Sequence, residues 1–144
     1  MNRHKAREVA LKMIFQMDVG KNTLELAMST LDEALPETAS AGASQRQFIM
    51  QLVENTSAHF DELDAVISTY ISDWSLDRLA NVDKNILRMA ICELRYLTGI
   101  PPAVTINEAV QLAKEYGGSD AGAFVNGVLD NYRKHLSETE NKNA

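Results

Sequence analysis

Apolar residues recur at intervals of three and four positions along most of this chain, the spacing that places them on one face of an α-helix. The period-two alternation that is typical of half-buried strands is absent. The pattern predicts helices at about residues 3–19, 24–35, 44–57, 63–71, 82–97, 105–116 and 119–136, with a short helical turn from Ser75 before the fifth. All three prolines lie between these segments, as expected because proline interrupts a helix interior.

These elements predict an all-α fold, a compact bundle of about seven helices in two packed halves. Helices one to three form one half, and helices four to seven form the other. The length of 144 residues suits a single domain, residues 1–144, with a real hydrophobic core. The small and polar residues from 36 to 44 predict a loop, and the polar tail at 137–144 is expected to fray.

Local signals predict where several helices begin and end. Thr105 and Glu108 form a capping box, so helix six is expected to begin at Thr105 and to end at Gly117-Gly118. Gly127 lies inside the last helix, where glycine costs about 1 kcal/mol relative to alanine. Either something packs against its bare backbone, or the glycine is merely tolerated. The predicted caps are Asn22 or Thr23 for helix two, Asn81 for helix five, and Ser119 or Asp120 for the last helix.

The composition limits the possible functional classes. Apolar residues make up 45% of the chain and charged residues 24%, as in an ordinary globular protein. No apolar run approaches the roughly 20 residues that span a bilayer, and the N-terminus lacks the apolar core of a signal peptide. The one cysteine, Cys92, excludes an internal disulfide framework. We therefore expect a cytoplasmic protein without membrane contact.

Charge is distributed unevenly along the chain. The first 12 residues carry a net charge of +3, from Arg3, Lys5, Arg7 and Lys12 against Glu8, whereas the whole chain carries −6 and the remainder therefore −9. A basic end can contact phosphate locally, while an acidic body repels nucleic acid and suits a basic protein partner. Arg3 and Arg7 share a helix face, where a phosphate backbone would relieve their mild repulsion. The alternative is a solvated helix start.

Two phenylalanines lie away from the apolar stripes of their helices. Phe15 points almost opposite to the stripe of helix one. Phe124 lies about 100° from the Val125 side of the last helix, with Asp120 and Asn131 on its flank. Each ring either belongs to the edge of the core or is able to stack on an unpaired base. Asp120 can accept a hydrogen bond from a base amino group or cap the helix.

Several ordered blocks of the sequence resemble the signature of the NusB family. They are Ile106-Asn107-Glu108-Ala109-Val110, Ala113-Lys114 and the segment from Phe124 to Asp130; upstream, Trp74 to Leu79, Val82 to Arg88 and Glu93-Leu94; and, at the start, basic residues followed by Ala6-Arg7-Glu8. The resemblance covers nearly the whole chain. It implies an all-helical bacterial transcription antitermination factor that binds a boxA-type RNA of nascent transcripts together with the small ribosomal protein NusE. Asn126, inside the signature, is expected to tie helices together through buried hydrogen bonds.

The resemblance also implies roles for individual residues. NusB proteins use an arginine-rich N-terminus on RNA, although His4 and Lys5 stand here where arginine is more usual, and lysine lacks the planar fork of arginine. The residues expected to contact RNA are Arg3, His4, Lys5, Arg7, Asp120 and Phe124, with Phe15 added because of its position on helix one. Asp77 and Asp83 each lie in the first turn of a helix, where the helix dipole favours a carboxylate. They either serve only this purpose or also form an acidic docking edge for the NusE-like protein.

Other functional classes find little support in the sequence. The three histidines are scattered, and the chain has no Cys/His metal spacing, phosphate-binding glycine loop or nucleophile elbow. Cys92 lies in an apolar helix and is expected to be a small core residue. We therefore expect no enzymatic activity, no metal and no cofactor. Two alternatives remain open: a helical adaptor that binds only protein, and a stand-alone relative of the NusB-like domain of RNA methyltransferases.

Overall fold

A computed structural model describes residues 2–34, 43–71 and 75–143 of the chain. Within these ranges the chain forms seven α-helices, one short 3-10 helix and no strand, which confirms the predicted all-α fold. The elements are α1 (Arg3–Asp18), α2 (Leu24–Ala34), α3 (Ala43–Ala58), α4 (Phe60–Thr69), the 3-10 helix (Leu76–Arg78), α5 (Asn81–Tyr96), α6 (Pro102–Gly117) and α7 (Ser119–Asn143). None of the described helices is long and apolar enough to cross a membrane.

The chain divides into two compact units, Met1–Phe60 and Asp61–Ala144. The first unit contains α1 to α3, and the second contains α5 to α7 and all of α4 except its first residue. This division falls where the sequence predicts the boundary between its two halves. Residues 36–42 of the predicted loop, Trp74 and the side chains of residues 137–143 lie outside the described part of the chain, and the last two residues of that loop, Ala43 and Ser44, begin α3 instead.

In the first unit, α1 packs against α2 and α3. Two side chains cap the helix starts. Asn2 Oδ1 accepts a hydrogen bond from the Lys5 backbone N–H at 2.8 Å, and Thr23 Oγ1 accepts one from the Leu26 N–H at 3.1 Å. The predicted cap of α2 is therefore Thr23. The buried apolar side chains are Ala6, Val9, Ala10, Leu11, Met13, Ile14, Ala27, Leu31, Phe48, Ile49, Leu52 and Val53. Because one face of α1 is buried in this way, the orientation of its basic residues is fixed.

In the second unit, α6 packs against α5 and α7, and α5 also contacts α7. Gly118 joins α6 to α7 with a φ of +89°, a conformation that favours glycine, so the predicted end of α6 is confirmed. The predicted cap of α5 is wrong, because Asn81 is the first helical residue and Ala80 occupies the cap position. Fully buried side chains of this unit include Leu63, Ile67, Ile86, Leu87, Ile91, Cys92, Leu112, Val125 and Leu129.

The start of α6 differs from the prediction by three residues. The helix begins at Pro102, because the fixed φ of proline suits the first turn, where no N–H is needed. Thr105 is therefore inside α6 and does not cap it. Its buried Oγ1 donates a hydrogen bond to Glu93 Oε1 on α5 at 2.8 Å. A hydrogen bond between two helices has taken the place of the local capping box.

The structure shows the surroundings of two residues of α7: Gly127, for which packing and mere tolerance were both open, and Asn126, which was expected to be buried. A Cβ built on Gly127 would meet no neighbouring atom of the described residues within 4 Å, so this glycine is tolerated and makes no close contact. Asn126 is exposed and is therefore not the buried group that was expected. The closely packed glycine of α7 is Gly122, where an added Cβ would lie 2.6 Å from Lys114 Cγ on α6. Periodicity alone does not distinguish these two glycines.

Candidate nucleic-acid interface

Arg3 lies at the start of α1 and is exposed. Its guanidinium carbon lies 3.9 Å from the centre of the Phe48 ring on α3, within the range of a cation–π contact. Arg3 Nε also donates a hydrogen bond to Gln45 Oε1 on α3 at 3.0 Å. The stacking contact and the hydrogen bond together hold this side chain in one orientation on the surface of the first unit.

Arg7 lies one turn further along α1 and is buried, with 3% of its surface exposed. Its guanidinium carbon lies 5.3 Å from the centre of the same Phe48 ring. The structure thus brings the two arginines together as the sequence predicts, but it places an aromatic ring beside both of them. The negative face of this ring offsets part of the repulsion between the two charges without any phosphate.

Glu8 neutralises part of the positive charge of α1. Lys5 Nζ donates a hydrogen bond to Glu8 Oε1 at 2.9 Å, and Lys12 Nζ lies 3.6 Å from the same oxygen. The hydrogen bond from Lys5 is the largest cause that holds the pKa of the Glu8 carboxyl below its usual value. Glu8 is therefore ionised at neutral pH and holds both lysines by charge attraction.

The remaining two candidates on α1 are half-buried. His4 lies between Arg3 and Lys5 in the first turn, and Phe15 lies in the last turn of the helix. The exposure of the Phe15 ring lies between that of a core ring and that of a ring open for stacking. Its role on RNA stays a prediction.

Asp120 and Phe124 lie one turn apart on the same flank of α7. Asp120 is exposed in the first turn, where the helix dipole stabilises its negative charge. Phe124 is half-buried, whereas its neighbour Val125 is fully buried. Asn131, two turns further along this flank, is exposed. An exposed acceptor, a half-buried aromatic ring and an exposed amide thus follow one another along one flank of α7.

The two predicted partner-binding carboxylates differ in their surroundings. Asp77 is exposed in the 3-10 helix, and Asp83 is half-buried in the first turn of α5. Asp83 Oδ1 is buried and has no hydrogen-bond partner among the described residues. Burial raises the pKa of the Asp83 carboxyl. A buried acceptor without a donor is unfavourable within the protein.

The sequence matches the model of a known protein family over most of its length. The model of the NusB family matches residues 4–134. This chain belongs to the NusB family. The match contains every candidate described above except Arg3, which lies one residue before it.

Relatives within the NusB family are similar over nearly their whole length. The transcription antitermination protein NusB of Exiguobacterium sp. AT1b is 48% identical over 134 residues, which are 93% of this chain and 98% of that protein. Among solved structures, T. maritima NusB has a TM-score of 0.82 at 36% identity and covers 93% of this chain and 92% of its own. A chain in the crystal structure of the antitermination factors NusB and NusE in complex with double-stranded RNA has a TM-score of 0.79 at 28% identity. It covers 94% of this chain and 99% of its own.

Three residues of this region were not identified from the sequence. Glu8 could have been, because its spacing of three and four residues from Lys5 and Lys12 is that of helical ion pairs. The spacing of apolar residues predicts that Phe48 is a core residue of the third helix, and this spacing does not link Phe48 or Gln45 to Arg3. Their separations of 45 and 42 residues make these contacts visible only in the folded chain.

Proposed function

We propose that this chain is a transcription antitermination factor that binds a boxA-type RNA of nascent transcripts together with a NusE-like ribosomal protein. The observation that carries the proposal is membership of the NusB family over residues 4–134, with relatives that are named antitermination proteins. The function is assembly and involves no chemical reaction. The chain works as one RNA-binding domain, in the cytoplasm, without a metal or cofactor.

On the RNA side, the first unit supplies positive charge. Its first 12 residues carry +3, and the side chains proposed to contact phosphates are Arg3, His4, Lys5 and Arg7. Contacts of this kind position the RNA without reading its sequence. The support is strongest for Arg3, which is exposed and has no ion pair with a described carboxylate, while the burial of Arg7 supports a packing role beside its charge.

Aromatic rings and hydrogen-bond acceptors are proposed to recognise unpaired bases. Phe124 and Phe15 are proposed to stack on bases, because any base offers a face to an aromatic ring. Asp120 repels phosphate, but it can accept a hydrogen bond from an amino group such as that of cytosine. The exposed flank that Asp120 shares with Phe124 supports this assignment for the second unit.

The partner protein is proposed to dock on the acidic remainder of the chain. Residues 13–144 carry a net charge of −9, which suits a basic ribosomal protein. Asp77 and Asp83 form the docking edge, where the exposed carboxylate of Asp77 and the half-buried carboxylate of Asp83 offer acceptors to cationic side chains of the partner. Joint binding of RNA and protein then tethers the nascent transcript to the transcribing complex.

One observation favours a second candidate, an adaptor that binds only protein. Glu8 holds both lysines of α1, and Arg7 is buried, so the local positive charge that an RNA would meet is smaller than the sequence suggests. An RNA affinity that is weak without a partner fits both candidates. Complete absence of RNA binding in the presence of the partner fits only the adaptor.

A binding experiment with matched RNAs distinguishes the two candidates. Fluorescence anisotropy would measure the affinity of the chain for a labelled boxA-type RNA, for a scrambled RNA of the same length and for the double-stranded form, each with and without NusE. The proposal predicts the tightest binding to the single-stranded boxA-type RNA with NusE present. Equal affinity for the scrambled RNA, or no binding of any RNA with NusE bound, would contradict it.

A further inference from the structure

We propose that Phe48 and Gln45 are positioning residues that hold the Arg3 guanidinium ready for one RNA phosphate. Arg3 then makes the principal phosphate contact of the N-terminal group, and the buried Arg7 contributes less directly. This inference rests on the proposed RNA-binding function and goes beyond it, because neither α3 residue belongs to the predicted RNA surface.

The first step concerns which basic side chains of α1 are able to meet a phosphate. Lys5 and Lys12 share the Glu8 carboxylate, at 2.9 and 3.6 Å. Arg7 is only 3% exposed. Arg3 is exposed, and no carboxylate among the described residues pairs with it. Arg3 is therefore an exposed charge of this helix that no described carboxylate neutralises.

The second step is the geometry that α3 imposes on Arg3. The Arg3 guanidinium carbon lies 3.9 Å from the centre of the Phe48 ring, and Nε donates to Gln45 Oε1, so two contacts with α3 restrain the position and rotation of the guanidinium. A guanidinium carries five N–H donors, and this hydrogen bond uses the one on Nε. The four donors on the two Nη atoms form the edge that binds a phosphate through two parallel hydrogen bonds.

The third step is the consequence of this fixed orientation for binding. A long side chain that is free in solution loses rotamer freedom when it binds, and this loss weakens the complex. Arg3 is already ordered before RNA arrives, so less is lost. Arg7 contributes indirectly, because its buried guanidinium lies 5.3 Å from the same ring and packs beside it.

Conservative substitutions separate positioning from charge. Arg3→Lys keeps the charge but loses the planar fork, and Gln45→Leu removes the acceptor while Arg3 stays intact. Each should weaken binding of a fluorescein-labelled boxA-type RNA by about 3- to 10-fold at an unchanged slope of log K against log salt. Arg3→Ala should also flatten the slope by about 0.7, the value for one phosphate contact on a single strand. Gln47→Leu, an exposed neighbour on α3, is the matched control and should leave affinity unchanged.

Phe48→Leu should weaken RNA binding as Gln45→Leu does; because Phe48 is buried, Gln45→Leu remains decisive if this variant does not fold. Full affinity in Arg3→Lys or Gln45→Leu would overturn the positioning role. A flatter slope in Arg7→Met with an unchanged slope in Arg3→Ala would assign the contact to Arg7 instead.

A measurement without RNA separates this inference from the proposed function. In ¹⁵N-resolved NMR spectra of the free protein, the Arg3 Nε–H proton should exchange slowly with water in the wild type and rapidly in Gln45→Leu. Rapid exchange in the wild type would overturn the positioning by Gln45 even if RNA binds. Slow exchange combined with no RNA binding in the presence of NusE would overturn the RNA role of Arg3 together with the proposed function.

Discussion

Arg88 holds Asp64 through two parallel hydrogen bonds, from Nε to Oδ1 at 2.6 Å and from Nη2 to Oδ2 at 2.7 Å. The Arg88 side chain is 6% exposed and that of Asp64 is 23% exposed, so the pair is largely removed from water. Arg88 Nη1 also donates to Asn85 Oδ1 at 3.0 Å. This fork ties α4 to α5, the helix whose first turn carries the candidate docking residue Asp83.

Asp64→Ala should strongly destabilise the protein, because it leaves the buried Arg88 guanidinium without its carboxylate. Breaking a fully buried ion pair lowers the free energy of unfolding by about 3–5 kcal/mol. Because Asp64 is partly exposed, we expect a loss of about 2–3 kcal/mol. Urea unfolding with an unchanged m-value would measure it. Asp32→Ala is the control, because it breaks the more exposed pair with Arg46 and should cost less than about 1 kcal/mol. Equal losses in the two variants would contradict the structural role of Asp64.

Glu8→Gln should increase RNA affinity. The substitution removes one negative charge and releases Lys5 and Lys12 toward the phosphates, so the salt dependence should become steeper by about 0.7 for each new contact on a single strand. Glu25→Gln changes the charge of the first unit equally, from the exposed first turn of α2, and is the control. Anisotropy titrations at several salt concentrations would compare the two. A gain of the same size in both variants would show a general charge effect without release of the lysines.

Phe124→Ala should weaken RNA binding while the fold remains largely intact. Stacking on one base is worth about 1–3 kcal/mol, whereas truncation of a fully buried phenylalanine costs about 3–5 kcal/mol of stability. Because Phe124 is half-buried, we expect a smaller loss of stability than that. Leu129→Ala, at a fully buried position of the same helix, is the control that should lower the melting temperature strongly. A large drop in melting temperature for Phe124→Ala at unchanged RNA affinity would favour a core role for the ring.

Most of the fold could be predicted from the sequence because each helix buries one periodic face. The starts of α1 and α2 agree with prediction, and Thr23 makes the predicted local cap. The start of α6 could not be predicted, since the hydrogen bond of Thr105 to Glu93 depends on the packing of two helices. A local motif shows which contacts a segment can make by itself, and its packing against other helices determines which of these contacts form.

The candidate site was only partly predictable for the same reason. Counting charges identified the basic group of α1, but it could not show that Arg7 is buried or that Phe48 contacts both arginines. Gly127 illustrates the opposite case, in which a suspected packing role is absent and the surface is open. Contacts between residues more than 40 positions apart in the sequence produce no local sequence pattern, so they could not be predicted.

Asp83→Asn should raise stability at neutral pH and weaken binding of a basic partner. The pKa of Asp83 is raised by burial, so the folded state favours its protonated form. Ionisation of Asp83 therefore lowers the free energy of unfolding. The loss is complete above the raised pKa of the folded state, and it disappears as the pH falls through that pKa to 3.8, the usual pKa of an aspartate. Melting temperatures between pH 4 and pH 8 would show a smaller decline with pH in the variant. Asp77→Asn, at an exposed position, should weaken partner binding without changing this profile.

The central claim, joint binding of RNA and a NusE-like protein, is tested most directly by calorimetric titration of each ligand with and without the other. Linkage requires that NusE raise the RNA affinity by the same factor as RNA raises the NusE affinity. The account predicts an equal factor above one in both directions, about 5- to 150-fold if the coupling is typical. Tight NusE binding with a factor of one and no RNA binding at moderate salt would contradict the account and leave a protein-only adaptor.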